Sequence, residues 1–164
     1  MTIIASRDEP ATSAARRDLD AVMAIMDGAF DPRFGEGWSR AQCRGMLGDT
    51  NSWIIVDRQD DRPVGFALSR MIVDEAELLL IAVQPEYRGK GIGRNMLKEV
   101  ARTARARGAA RLHLEVRDGN AAADLYSAIG FEQIGRRKNY YSGRDGEHFD
   151  AITLALQLDA PAEQ

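Results

Sequence analysis

The chain has 164 residues, of which 45% are hydrophobic and 29% are charged, and its formal net charge is -3. This length predicts one domain over residues 1–164, and the charge balance argues against a broadly basic nucleic-acid binder. No apolar run approaches the roughly 20 residues that span a bilayer, and no signal-peptide pattern opens the chain. The single cysteine, Cys43, cannot form an internal disulfide, so we expect a reducing compartment, the cytoplasm.

The first third of the chain predicts helices. Residues 1–16 are mostly polar and read as a loose lead-in, in which Ile3 and Ile4 could form a short edge strand. Apolar residues at helical spacing then predict a helix that opens at Asp18. The segment DPRFGEG at 31–37 breaks this helix, and Ser39 is a candidate N-cap for a second helix that reaches residue 47.

The remainder predicts strands and helices around a central sheet. Three strands are predicted at 52–57, 64–73 and 77–83, and a strongly amphipathic helix at 91–107 ends before a glycine. An alternating strand follows at 111–117, then a helix at 120–129 and two strands around the turn at 142–146. This order predicts a mixed α/β sandwich.

The loop at 88–93, RGKGIG, joins a buried strand to the start of a helix. Glycines let backbone amides approach an anion closely, and a helix N-terminus offers unpaired N–H groups and positive potential. Arg88, Lys90 and Arg94 add positive charge at the same place. The pattern predicts a diphosphate cradle, although the glycines could serve only a tight turn. Neither the G-x-x-x-x-G-K-[ST] loop nor the dinucleotide G-x-G-x-x-G spacing is present.

Two motifs identify a family. VQPEYRGKGIGRNML (83–97) resembles the acetyl-CoA motif of the GNAT superfamily of N-acetyltransferases, with Arg88, Gly91 and Gly93 at its core positions. LEVRDGNAAADLYSAIGF (114–131) resembles the second motif of that superfamily. More narrowly, residues 77–83, 114–117 and 136–156 are similar to the branch that acetylates the N-terminal alanine of bacterial ribosomal proteins.

This resemblance implies a mostly antiparallel central sheet, flanked by helices, that splays after its central strand. It also implies that the protein uses acetyl-CoA as its co-substrate. The pantetheine and thioester would contact the backbone of Ile81, Ala82 and Val83. Asn120 would hydrogen-bond to the cofactor. The pyrophosphate would bind to backbone amides within the glycine loop, namely those of Gly89, Lys90, Gly91, Ile92, Gly93 and Arg94.

The resemblance also suggests the catalytic groups. Glu115 would be the general base, directly or through a water, and Tyr126 the general acid that protonates the departing thiolate. Strand alternation places Glu115 opposite its apolar neighbours, where it could equally be a solvated carboxylate, and Tyr126 lies on an apolar helix stripe typical of a core tyrosine. In the family the tyrosine usually follows the asparagine by seven residues, whereas here Tyr126 follows Asn120 by six.

The acceptor side is less defined. Trp38 is a candidate wall, and Tyr140 and Tyr141 match a stretch that closes over a peptide in the ribosomal-protein branch. Asp74, Glu75, Glu77 and Glu36 could attract a basic peptide or could be ordinary turn acids. His113 is expected to pack under a helix, and His148 has no companion ligands, so no metal site is predicted.

Three functions are compatible with these residues. The first is acetylation of a ribosomal protein's N-terminal amine, and the second is acetylation of a small amine such as a polyamine or aminoglycoside. The third is a non-catalytic acetyl-CoA sensor, which the presence of both Glu115 and Tyr126 argues against. Neither a nucleic acid nor a membrane is an expected partner.

Overall fold

A seven-stranded sheet with the strand order β1-β2-β3-β4-β5-β7-β6 forms the centre of the molecule. The structure, a computed structural model, describes residues 2–5 and 13–158. Among the described strands, β4 and β5 form the one parallel pair, and the other neighbours are antiparallel. This confirms the predicted mixed, mostly antiparallel sheet. The strands are β1 (Thr2–Ala5), β2 (Ser52–Gln59), β3 (Arg62–Ile72), β4 (Glu75–Val83), β5 (Arg111–Arg117), β6 (Glu132–Ser142) and β7 (His148–Gln157).

Four α-helices cover the two faces of this sheet, and short 3-10 turns at Pro32–Phe34 and Pro85–Tyr87 lie in the connections. α1 and α2 pack on one face against a core that includes Ile25, Phe66 and Leu80. α3 packs on the other face, where Met96 and Leu112 are fully buried. The helices are α1 (Ser13–Ala29), α2 (Arg40–Leu47), α3 (Ile92–Ala106) and α4 (Ala123–Ile129).

Two described segments of the predicted lead-in, residues 2–5 and 13–16, lie in regular secondary structure. α1 begins at Ser13, five residues before the predicted start at Asp18, because the sequence SAARR is rich in strong helix formers. Ile3 and Ile4 lie in β1 at the edge of the sheet, as predicted. The remainder of the predicted lead-in, residues 6–12, lies outside the described residues.

Other boundaries differ by a few residues. Ser39 caps α2 as predicted, in a capping box with Gln42. α4 begins at Ala123 rather than at residue 120, since the Asn120 side chain accepts a hydrogen bond from the Ala122 amide and forms a turn there. β5 has the predicted bounds, with Leu112 and Leu114 buried on one face.

The sheet splits between β4 and β5. Their pairing covers four residue pairs, from Glu75–Arg111 to Leu78–Leu114, although both strands continue beyond that point. The register on the other side of β4 shifts there, because Leu68 faces Leu80 while Ser69 faces Leu78. This bulge at Leu79 bends β4 away from β5. The predicted splay after the central strand is therefore present.

No helix in the described part of the chain is long and apolar enough to cross a membrane.

Candidate active site

The split in the sheet opens into a cleft of about 660 Å³. One wall is the part of β4 beyond the bulge, residues 79–83, and the facing wall is the end of β5, residues 114–117. The glycine loop and the start of α3 form one end, and α4 contributes Leu125 and Tyr126. The connection between α1 and α2 borders the same cleft through Phe34 and Glu36.

The glycine loop has the backbone conformation that an anion cradle needs. Gly89 and Gly91 have φ angles of 75° and 81°, in the left-handed region that favours glycine. A Cβ atom at either position would meet no heavy atom within 4 Å, so the space beside them is open. Gly91 caps α3 without a side-chain hydrogen bond, and the first amide bonded to its carbonyl is that of Asn95. The amides of 92–94 are thus available to a ligand.

The three predicted cations have different roles. Arg88 borders the cleft, but its guanidinium donates to the carbonyls of Val83 and Ala29, both at 3.1 Å, and so ties β4 to the end of α1. The Lys90 ammonium lies 5.2 Å from the centre of the Tyr87 ring, and Lys90 is outside the cleft walls. Arg94, on the first turn of α3, lines the cleft.

Glu115 projects from β5 into the cleft, and its side chain is 13% exposed, unlike a solvated surface carboxylate. Its Oε1 atom lies 2.8 Å from Nε of Arg137. Burial, and then the charge of Glu115, raises the pKa of the nearby Tyr140. Arg137 is 63% exposed, so this ion pair lies at the mouth of the cleft where solvent weakens it.

Tyr126 is both a core residue and a cleft residue. Its ring is 5% exposed and packs edge-on against Phe131 at 5.8 Å, while the residue also borders the cleft. Burial, and then the charge of Glu36, raises the pKa of Tyr126 well above its ordinary value. Its hydroxyl is therefore kept protonated, as a proton donor must be.

Tyr140 and Tyr141 lie at a bulge of β6, and their rings meet edge-on at 5.0 Å. Tyr141 lines the cleft, and its hydroxyl donates to the backbone carbonyl of Glu115 at 3.3 Å. Burial first, and then the charge of Glu36, raises the pKa of Tyr141. Tyr140 is half exposed and reaches Glu115 from outside the cleft walls.

Asn120 borders the cleft, but both ends of its amide are engaged within the protein. Its Oδ1 atom accepts from the Ala122 amide at 2.8 Å, and its Nδ2 atom donates to Oε1 of Glu36 at 3.0 Å. Arg117 donates to the same Glu36 oxygen at 3.2 Å and stacks on the Phe34 ring at 3.7 Å. In this chain, where the Asn120–Tyr126 spacing is one residue shorter, the Asn120 side chain is hydrogen-bonded to Glu36 in the α1–α2 connection.

Several predicted acceptor residues lie elsewhere. Trp38 packs against the core under α1 and is not part of the cleft wall. Glu75 and Glu77 are paired with Arg111 and Arg70, so they are not free to attract a basic peptide. His113, which was expected to pack under a helix, lies 3.5 and 3.9 Å from these two carboxylates.

Comparison with known proteins places these features in a family. The acetyltransferase (GNAT) family model matches residues 19–131. The [ribosomal protein bS18]-alanine N-acetyltransferase of Salmonella typhimurium is 43% identical over 100 residues, which cover 60% of this chain and 67% of that protein. The protein of the same name from Escherichia coli is 43% identical over 101 residues, covering 61% of this chain and 68% of that one.

Solved structures agree with the architecture. The crystal structure of the ribosomal-protein-S18-alanine N-acetyltransferase from Escherichia coli has a TM-score of 0.79 and 33% identity, covering 99% of this chain and 97% of that one. A nourseothricin acetyltransferase has a TM-score of 0.62 and 30% identity, covering 66% of each chain.

Proposed function

Because the chain belongs to the GNAT family of acetyltransferases, we propose that it transfers the acetyl group of acetyl-CoA to the N-terminal α-amine of a ribosomal protein. One observation carries this proposal: the anion cradle, a sequestered carboxylate and a buried tyrosine hydroxyl border the same cleft. The ribosomal acceptor is taken from the relatives that are 43% identical and act on the alanine of bS18. Such an acceptor would be modified in the cytoplasm.

Several features of the cleft support acetyl-CoA as the co-substrate. The amides of 92–94 and the left-handed glycines suit its pyrophosphate, and Arg94 adds positive charge beside them. The backbone of Ile81, Ala82 and Val83 borders the cleft where the pantetheine and thioester would lie. When bound, acetyl-CoA supplies an acyl group activated as a thioester. Asn120 would contact acetyl-CoA only through the hydrogen-bonding capacity of its amide that the bonds to Glu36 and Ala122 do not use.

In the proposed mechanism Glu115 accepts a proton from the acceptor ammonium, directly or through a water. The neutral nitrogen then attacks the thioester carbon, forming the C–N bond. As the C–S bond breaks, the thiolate takes the proton of the Tyr126 hydroxyl. The acylated nitrogen then loses its surplus proton to the resulting tyrosinate, directly or through a water, which leaves a neutral amide that retains the acetyl group. An α-amine has a pKa of about 7.7–8.0, so a carboxylate base suffices near neutral pH.

A small-amine acceptor is the second candidate. The observation that favours it is the 30% identity to a nourseothricin acetyltransferase over 66% of the chain. The relatives named for the alanine of bS18 match this chain with higher identity, and Tyr141, which borders the cleft, matches a stretch that closes over a peptide in that branch. A non-catalytic sensor is disfavoured, since both Glu115 and Tyr126 border the cleft.

A CoA-release assay tests the function. The acceptors are the N-terminal hexapeptide of bS18, the same peptide with its N-terminus acetylated, spermidine and an aminoglycoside. We expect release only with the free peptide, and mass spectrometry should show one acetyl group on its α-amine. Release with spermidine or the aminoglycoside but not with the peptide would establish the second candidate instead.

A further inference from the structure

The connection between α1 and α2 places a second carboxylate in the cleft. The Glu36 side chain is 13% exposed and borders the same cavity as Glu115 and Tyr126. It lies in the DPRFGEGWS segment between α1 and α2, outside the two motifs that identify the family.

Glu36 is held rigidly from one side. Oε1 accepts both from Nε of Arg117, at 3.2 Å, and from Nδ2 of Asn120, at 3.0 Å. Arg117 is itself 12% exposed and stacks on Phe34, so this ion pair is a buried and fixed one. Among the described residues, none donates a hydrogen bond to the second oxygen, Oε2.

The connection that carries Glu36 is fixed against the β6–β7 turn. The Arg144 amide donates to the Pro32 carbonyl at 3.3 Å. A Cβ atom on Gly35 would lie 2.1 Å from the Ser142 carbonyl oxygen, and one on Gly143 would lie 1.9 Å from that of Arg33. The two backbones thus touch through glycines, and these contacts fix the backbone that immediately precedes Glu36.

Two tyrosines, Tyr126 and Tyr141, border the same cleft as Glu36. Burial, and after it the charge of Glu36, raises the pKa of both. The Tyr141 proton is directed to the Glu115 carbonyl, so the lone pairs of this hydroxyl remain for a donor. A primary ammonium carries three N–H donors and a positive charge, and it matches a site of this kind.

We propose that Glu36, through Oε2, together with the hydroxyl oxygen of Tyr141, binds the ammonium group of the acceptor before Glu115 deprotonates it. This inference rests on the proposed function in that the acceptor is an amine delivered to this cleft. Glu36 is a substrate-binding residue in this scheme, and it supplies affinity for the charged amine. Most of an α-amine is protonated at neutral pH, so a site for the ammonium is needed.

The test compares binding of two peptides in the presence of CoA by calorimetry. The bS18 hexapeptide carries the ammonium, and the same peptide with an acetylated N-terminus lacks it. In wild-type protein the free peptide should bind more tightly. Glu36→Gln keeps an Oε1 acceptor for Arg117 and Asn120, and we expect about a tenfold loss of affinity, the order of one charge-assisted hydrogen bond, for the free peptide alone. In turnover the KM for the free peptide should rise with less change in kcat.

Three further variants complete the test. Glu36→Asp keeps the charge and should recover part of the lost affinity, and Tyr141→Phe should lower affinity for the free peptide alone. Glu147→Gln makes the matched change at an exposed carboxylate paired with Arg33 of the same connection, and it should alter neither peptide's binding. Thermal unfolding identifies any variant that does not fold.

Each outcome discriminates. If Glu36→Gln weakened both peptides equally, Glu36 would only support the loop, and if it weakened neither, the ammonium site would be refuted. A wild-type protein that bound both peptides equally would refute it as well. If wild-type protein acetylated only small amines, the proposed function would fail by itself, and the Glu36 inference would stand or fall on the KM of that amine in Glu36→Gln.

Discussion

Glu115 is the residue whose removal should separate chemistry from binding. Glu115→Gln keeps the size of the side chain and an acceptor for Arg137 but cannot take a proton from the amine. We expect kcat to fall by about 10²–10⁴-fold, the usual contribution of a general base, with the Kd for acetyl-CoA unchanged. Steady-state kinetics and calorimetry measure the two quantities.

The matched control is Glu77→Gln. Glu77 is also a half-buried strand carboxylate paired with an arginine, yet it lies outside the cleft walls. It should retain wild-type turnover. Undiminished kcat in Glu115→Gln would contradict the base assignment.

The raised pKa of Tyr126 determines how kcat/KM should depend on pH in the alkaline range. The proton-donating form of a tyrosine exists below its pKa, and the raised pKa of Tyr126 extends that range upward. The rate should rise as the acceptor amine loses its proton near pH 8 and should then stay level to about pH 10, the ordinary pKa of tyrosine. The measurement is kcat/KM against pH, with circular dichroism at each pH as a control for folding. A decline well below pH 10 would show that another group limits the reaction.

Sequence motifs predicted the cleft residues but not their partners. Glu115 and Tyr126 follow from short local patterns, and both border the cleft. The contacts of Glu36 with Arg117 and Asn120 join residues that are 81 and 84 positions apart, and no local pattern encodes them. Trp38 was a candidate wall of the acceptor site, and in the structure it packs against the core under α1, to which a bulky residue near a loop is equally suited.

At the scale of one element, the start of α3 should be essential for cofactor binding. Gly91 has a φ of 81°, which a β-branched residue adopts only with strain, and its Cβ would project into the open space of the cradle. Gly91→Val should therefore abolish measurable binding of acetyl-CoA in calorimetry.

The other end of the same helix provides the control. Gly108 has a φ of 91° and also has open space around its Cβ position, but it lies far from the cleft walls. Gly108→Val should lose about 1–2 kcal/mol of unfolding free energy, the usual penalty of a left-handed residue, and still bind acetyl-CoA. Equal losses of binding in both variants would mean that strain in α3, rather than the cradle, is responsible.

Strong periodicity predicted the elements well, and weak periodicity did not. The apolar stripe of α3 and the strict alternation of β5 gave bounds within one residue. The start of α1 was missed, since SAARR has helix propensity but no apolar stripe to reveal it. The start of α4 was misplaced because the Asn120 side chain competes for the backbone there.

For the whole molecule, the seam between β4 and β5 is the place where a bound cofactor should act. Four residue pairs join the two parts of the sheet, and a ligand in the cleft would contact both. Acetyl-CoA at 100 times its Kd should add about 2.7 kcal/mol to the unfolding free energy. For a domain of this size that corresponds to a rise in Tm of about 5–11 °C.

Bound acetyl-CoA should also slow hydrogen exchange of the backbone amides at 79–83 and 115–117. Gly91→Val should show neither the rise in Tm nor the slower exchange. A rise in Tm without protection of these two strands would place the ligand outside the seam, because only a ligand that spans the split restrains both.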